Sequence, residues 1–121
     1  MSALRWTAVL LLVVPGIIHI YYGAVDATTF GNIYGLSYTN WFYIMGLIYF
    51  VGAAIIAANI MPKVFEALAA LYAAILIVIY ILQDAGSSGA IGYADKAIEV
   101  LLIIVLLVLL VQKPKPKPTA Q

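Results

Sequence analysis

The chain has 121 residues, of which 66% are hydrophobic and only 9% are charged. An ordinary soluble domain carries about 25% charged residues, so this composition excludes a soluble globular domain, a disordered segment and a nucleic-acid-binding protein. It indicates an integral membrane protein. The chain contains no cysteine. This excludes disulfides, thiol catalysis, iron–sulfur clusters and thiolate metal sites.

Four apolar stretches are each long enough, at roughly 20 residues, to cross the hydrocarbon core of a bilayer as a helix. They cover about residues 4–22, 41–60, 63–83 and 94–112. Continuous apolar runs such as Val100–Val111 lack the alternation that membrane barrel strands need. We therefore predict an all-α integral membrane protein with a four-helix transmembrane bundle in residues 1–112. A Lys/Pro-rich cytoplasmic tail follows in residues 113–121.

Local residues predict where these helices begin. Asn40 is placed to cap the second helix, and Asp95 suits the N-terminus of the fourth through capping and the helix dipole. Pro62 suits the first turn of the third helix, where its missing N–H costs nothing.

The second and third helices are predicted to form a tight hairpin, because only about Met61 and Pro62 separate them. Both helices carry small residues four positions apart, which lets helix backbones approach closely in membranes. These are Ala53 with Ala57, Ala54 with Ala58, Ala69 with Ala73, and Ala70 with Ala74.

Basic residues predict the orientation. With four spans, one side holds Arg5, Lys63, Lys113, Lys115 and Lys117, and the other holds Lys96 alone. Cytoplasmic segments of membrane proteins carry an excess of Lys and Arg, so we predict that both termini are cytoplasmic in a multi-pass protein of the cell membrane. An alternative for the first helix is a signal peptide with Val25–Asp26–Ala27 as its cleavage site.

The predicted ligand or proton site combines His19, the only histidine, with Glu99 and Asp26. Ionisable residues at membrane depth are costly and face the bundle interior or water. His19 and Glu99 lie at similar depth near the outer ends of the first and fourth helices, so we expect them to approach each other. The alternative is a purely structural pair, or two separate interfacial residues.

We predict no catalytic residues, no cofactor and no metal. A zinc or copper ion on His19, Asp26 and Glu99 is a weaker alternative. Haem ligation by His19, or a quinone stacked on tyrosines, is compatible with the composition, but no further feature supports either.

Four other features have a structural and a functional interpretation. Pro15–Gly16 predicts a kink in the first helix, either for packing or as a hinge. Lys63 and Glu66 are spaced to form an interfacial ion pair, and the alternative is that Glu66 is a transport carboxylate. The aromatic-rich loop in residues 24–39 is long enough to cover an outer pocket or to belong to an interfacial aromatic belt. The tail lysines Lys113, Lys115 and Lys117 are candidates for binding a partner or anionic headgroups.

The pattern Leu4–Arg5 followed by Gly16–Ile17–Ile18–His19 resembles the first helix of several small four-helix membrane families, including DoxX-like proteins. Chain length and span number are also similar to small multidrug-resistance transporters. Those transporters require an acidic residue in the first helix, where this chain has only Arg5 and His19 as ionisable groups.

The chain lacks a catalytic constellation, a phosphate-binding loop and a polar stripe along its length. We therefore expect a small non-catalytic accessory or structural subunit of a larger membrane protein complex, for example a respiratory one. Such a subunit is not an enzyme by itself but can belong to an enzyme complex. Its partners are the lipid bilayer and other membrane subunits or further copies of itself, and not nucleic acid. The alternative is a homo-oligomeric small-solute or ion transporter or channel with an outer-leaflet site at His19 and Glu99.

Overall fold

The computed structural model describes residues 3–25, 32–33, 36–84 and 89–112. This part of the chain is helical apart from one short antiparallel ladder. The elements in chain order are α1 (Ala3–Val25), β1 (Asn32–Ile33), β2 (Leu36–Ser37), α2 (Tyr38–Ala57), α3 (Pro62–Ile79), a π-helical turn (Tyr80–Asp84) and α4 (Gly89–Val111). The four predicted helices are therefore present, with shifted ends.

Two predicted helix caps are wrong. α2 begins at Tyr38, so Asn40 lies inside its first turn. α4 begins at Gly89, so Asp95 lies in its second turn. Nothing between Gly89 and Asp95 blocks a helix, because the segment has no proline and a helical glycine costs only about 1 kcal/mol. Asp95 is consequently held inside the helix, where its side chain faces the bundle.

The prediction for Pro62 is confirmed, since it occupies the start of α3. The connection before it is residues 58–61, where Asn59 and Met61 adopt positive φ angles of 58° and 41°. This connection is short, but the predicted close packing of α2 on α3 is not what the structure shows. α2 packs mainly against α1, and α3 packs mainly against α4.

A glycine contact explains why α2 packs on α1. A Cβ atom added to Gly46 of α2 would lie 2.8 Å from the carbonyl oxygen of Gly16 in α1. The two backbones thus approach to a distance that only glycine permits. Of the predicted small residues on α2, Ala54 and Ala58 are exposed, whereas Ala53 is buried in the core.

The helices run in alternating directions. Arg5 near the start of α1 contacts both Asn59, just after α2, and Glu66, near the start of α3. Lys63 of α3 contacts carbonyl groups at the end of α4. We call this end of the bundle, defined by Arg5, Asn59, Lys63 and Glu66, the basic end.

The core is aliphatic, and so is most of the outer surface. The most deeply buried core residues come from all four helices: Ala8, Leu12, Ile56, Ala73, Leu102 and Leu106. Large apolar side chains are also exposed on every helix, including Leu10, Leu47, Leu71 and Ile104. An apolar interior surrounded by an apolar exterior is typical of a helix bundle that lies in lipid.

Three helical segments are long and apolar enough to cross a membrane: Ala3–Ala24, Asn40–Ala57 and Pro62–Leu82. α4 is as long as α1, at 23 residues each. Its first half, however, carries Asp95, Lys96 and Glu99.

Candidate functional site

Three ionisable side chains meet inside the bundle, between its middle and the end opposite the basic end, with Glu99 at the centre of α4. His19 of α1 and Asp95 and Glu99 of α4 are each almost fully buried. One ring nitrogen of His19 and one oxygen from each carboxylate all lie within 4.8 Å of one another. Asp95 and Glu99 are four residues apart, which places both on the same face of α4. We call His19, Asp95 and Glu99 the buried cluster.

The His19 ring is oriented by the backbone of its own helix. Its Nδ1 atom lies 2.7 Å from the carbonyl oxygen of Pro15. A carbonyl oxygen can only accept, so Nδ1 carries the proton and donates it, and the lone pair resides on Nε2. Pro15 lies within the continuous helix α1, and its carbonyl here fixes the histidine tautomer.

Lys96 bridges the two carboxylates of the buried cluster. Its Nζ atom lies 3.2 Å from Asp95 Oδ2 and 2.6 Å from Glu99 Oε1. The remaining oxygen of Glu99, Oε2, accepts a hydrogen bond from the hydroxyl of Tyr49. The site therefore combines two carboxyl groups, one ammonium group and one imidazole in a poorly solvated region.

Asp95 leaves one oxygen without a donor. Oδ1 is buried and accepts no hydrogen bond from the part of the chain that the structure describes. Its distance to Nδ1 of His19 is 3.9 Å, which is too long for a hydrogen bond. A buried polar atom without a partner is rare in proteins, because it loses its hydration without compensation.

Aromatic rings enclose the buried cluster. The Tyr49 ring contacts the rings of His19 and Tyr72, with centroids 5.5 Å and 5.0 Å away. The Tyr72 hydroxyl donates to the carbonyl oxygen of Met45 over 2.8 Å, which joins α3 to α2. Lys96 lies over the ring of Tyr80, with Nζ 5.2 Å from the ring centre. Tyr80 begins the π-helical turn, and such turns occur often at functional sites.

The structure brings together His19 and Glu99, as their depths in the sequence predict. Asp26 and the tail lysines Lys113, Lys115 and Lys117 lie outside the described residues. Half of the loop in residues 24–39, namely residues 26–31 and 34–35, lies outside them as well. Pro15 and Gly16 are both buried in α1, directly before the turn that carries His19.

Three members of the site are not predicted from the sequence: Asp95, Lys96 and Tyr49. Asp95 is predicted as a helix cap, although its four-residue spacing to Glu99 is the signal that would have found it. Lys96 enters the sequence prediction only as the one basic residue on the outer side. Tyr49 is one of nine tyrosines and has no local mark that separates it from the others.

The ion pair at the basic end also differs from the prediction. Glu66 pairs with Arg5 of α1, with Nη2 to Oε1 at 3.2 Å, and not with Lys63. Lys63 instead donates to carbonyl oxygens in the last turn of α4, including that of Gln112 at 3.0 Å. These carbonyls lack helical partners and carry the negative end of the helix dipole, so a nearby ammonium stabilises them.

Comparison with protein-family models, curated proteins and solved structures finds no match to this chain. Its function must therefore be argued from the geometry of the bundle and of the buried cluster.

Proposed function

We propose that this chain is a four-span integral membrane protein that acts as a small non-catalytic accessory subunit of a larger membrane protein complex. Three helices have the length and hydropathy of membrane spans. α4 becomes the fourth span because its ionisable residues, Asp95 and Glu99, are turned into the bundle. Inward-facing charged residues are the form in which membrane helices tolerate charge.

One observation supports the proposal that the chain is a subunit with no transport path of its own. A layer of aliphatic side chains separates the buried cluster from the basic end. Along α1, His19 and Arg5 are 14 residues apart, which corresponds to about 21 Å of helix. Between them, Leu12 and Leu106 are fully buried. A polar solute or ion crossing this layer would lose its hydration without protein partners, which is strongly unfavourable.

The outward face of α4 is the proposed contact for another subunit. It is uninterrupted and aliphatic, with its exposed side chains in the order Val100, Leu101, Ile104, Leu107, Val108 and Val111. From Val100 to Val111 it offers no small residues for close contact of helix backbones. It therefore suits a broad apolar contact made by side-chain packing alone.

Both termini are proposed to be cytoplasmic. In the described part of the chain, the basic end carries Arg5 and Lys63, and the end with the buried cluster carries Lys96, which is neutralised there by two carboxylates. The larger number of Lys and Arg residues at one end supports a cytoplasmic position for that end. Because the chain has no cysteine, single cysteines report orientation cleanly. We expect Ser87→Cys to react with an impermeant label from outside, and Ile60→Cys only after the membrane is opened.

The buried cluster also favours the second candidate function, a homo-oligomeric small-solute or ion transporter or channel. An outer-leaflet site with two carboxyl groups could receive a cation. Because the aliphatic layer blocks a route through one chain, the conduction path would run between copies.

Two measurements distinguish these functions. Native mass spectrometry after mild extraction from the natural membrane should show the chain with other polypeptides in fixed ratio. The purified chain, reconstituted alone into vesicles, should show no flux of protons or small cations above protein-free vesicles. Isolation as a monomer or homo-oligomer that conducts alone would refute the accessory role and support the transporter.

A further inference from the structure

We propose that His19, Asp95 and Glu99 bind one divalent transition-metal ion inside the bundle. This inference goes beyond the accessory role proposed above, and it concerns the purified chain whether or not other subunits are present. It also departs from the expectation, based on sequence alone, that the chain has no metal site.

The ligand set determines the class of ion. One imidazole nitrogen and two carboxylate oxygens suit zinc, manganese or iron(II), whereas calcium and magnesium prefer oxygen ligands only. The ligand atoms lie within 4.8 Å of one another. Ligands that share an ion at about 2.0–2.2 Å lie roughly 3–4 Å apart, so small side-chain rotations would complete the site.

The orphaned oxygen of Asp95 is a second and independent indication of a ligand. Oδ1 is buried without a donor and faces His19, while the other oxygen, Oδ2, is already satisfied by Lys96. A structural network in which both carboxylates are ionised would leave this atom desolvated and without compensation. A metal ion between Asp95 and His19 would supply the missing positive partner.

The surroundings of the ligands match the outer shell of a metal site. A histidine that ligates a metal usually donates its other ring N–H to a carbonyl or carboxylate, which fixes the ring and leaves the lone pair for the ion. His19 makes this contact with Pro15 through Nδ1, so the lone pair for ligation is on Nε2. The nitrogen that lies 3.9 Å from Asp95 Oδ1 is Nδ1, so ligation by Nε2 requires the imidazole ring to turn toward the two carboxylates. Glu99 is likewise held by the hydroxyl of Tyr49.

Lys96 is the natural competitor of the metal ion. Its side chain is 15% exposed, whereas those of Asp95 and Glu99 are 4% and 0% exposed. The ammonium group is therefore the part of the site that can withdraw toward the outer end of the bundle when a divalent ion arrives. Removing Lys96 should strengthen metal binding if the buried cluster is a metal site, and should only destabilise the fold if it is a structural salt-bridge network.

The test is Zn²⁺ binding to the purified full-length chain in lipid nanodiscs, measured by calorimetry, with Co²⁺ as a spectroscopic probe of the ligand field. We expect one Zn²⁺ per chain and a Co²⁺ d–d spectrum that Zn²⁺ abolishes. Each of His19→Gln, Asp95→Asn and Glu99→Gln should weaken binding by at least about 100-fold. Loss of an outer-shell partner already costs a metal site up to about 100-fold in affinity, and loss of a ligand should cost at least as much. Lys96→Met should strengthen it by at least about 10-fold, because a competing unit charge leaves the site.

Glu66→Gln is the matched control. Glu66 is also a fully buried carboxylate with one oxygen lacking a donor, but it lies at the basic end. Within the described part of the chain, His19, Asp95 and Glu99 are the only group of three such ligands. Circular dichroism verifies that each variant is folded, and three separate ligand variants guard against the failure of one. Absence of stoichiometric Zn²⁺ binding, or equal affinity in Asp95→Asn and Glu66→Gln, would overturn the proposal.

Discussion

The contact between α1 and α2 depends on the absence of a side chain at Gly46. An alanine there would place its Cβ 2.8 Å from the carbonyl oxygen of Gly16 and 2.8 Å from Cγ1 of Ile20. Ile20 can change rotamer, but the carbonyl belongs to the backbone of α1 and cannot. Gly46→Ala therefore forces the two helices apart.

The structure gives the size of this effect. Ordinary contacts of a Cβ atom begin at 3.4 Å, so the added methyl group is about 0.6 Å too close to the Gly16 carbonyl. Overpacking of this kind costs about 1–3 kcal/mol. Gly52 of α2 offers a matched control, because a Cβ atom there would meet nothing within 4 Å. Both substitutions share the gain in helix propensity, so we expect Gly46→Ala to be about 1–3 kcal/mol less stable than Gly52→Ala.

The free energy of unfolding of both variants can be measured by titrating SDS into mixed micelles and following helical circular dichroism. Crosslinking between cysteines on α1 and α2 provides a second readout of helix separation, since the chain has no cysteine of its own. Equal stability of the two alanine variants, with unchanged crosslinking, would refute the assignment of the Gly16–Gly46 contact as the determinant of α1–α2 packing.

Four further substitutions probe other contacts. Leu102→Ala opens a cavity at a fully buried position and should cost about 2–5 kcal/mol in the same unfolding assay, against a small change for the exposed Leu101→Ala. Glu66→Gln removes the ionic partner of the Arg5 side chain and should cost about 1–3 kcal/mol. Because this cost comes from the lost ion pair, it should be smaller in a protein in which Arg5 is also replaced. Tyr49→Phe leaves Oε2 of a buried carboxylate without its donor, with a similar cost of about 1–3 kcal/mol. Lys63→Met should speed hydrogen exchange in the last turn of α4 and leave α2 unchanged; unaltered exchange there would contradict the capping role.

The sequence predicts the number of helices well, because uninterrupted apolar stretches of membrane length have no other stable arrangement of their backbone polar groups. It also predicts that His19 and Glu99 approach each other, since residues at equal depth that are costly to expose to lipid are forced inward. Pro62 fixes the start of α3 through its own covalent geometry. These predictions succeed because each depends on local chemistry or on depth alone.

Predictions that depend on the choice of a tertiary partner do less well. Glu66 has Lys63 at helical spacing, but the structure pairs it with Arg5, 61 residues away. The alanines of α2 and α3 suggest a close pair, but a single glycine contact directs α2 to α1 instead. A spacing pattern shows which face of a helix is suited to close contact. It does not show which of three neighbouring helices will occupy that face.

The fold does not need ionisable side chains at the position of the buried cluster in order to be stable. Replacement of a buried ionic network by well-packed apolar side chains is often neutral or stabilising, because desolvation of the charges offsets their attraction. The rest of this core, from Leu12 to Leu106, is packed in that apolar way. Asp95, Lys96 and Glu99 therefore add a desolvation cost that the fold could avoid, and Asp95 Oδ1 receives no hydrogen bond in return. The metal ion proposed above would give this desolvated site the positive partner that Asp95 Oδ1 lacks.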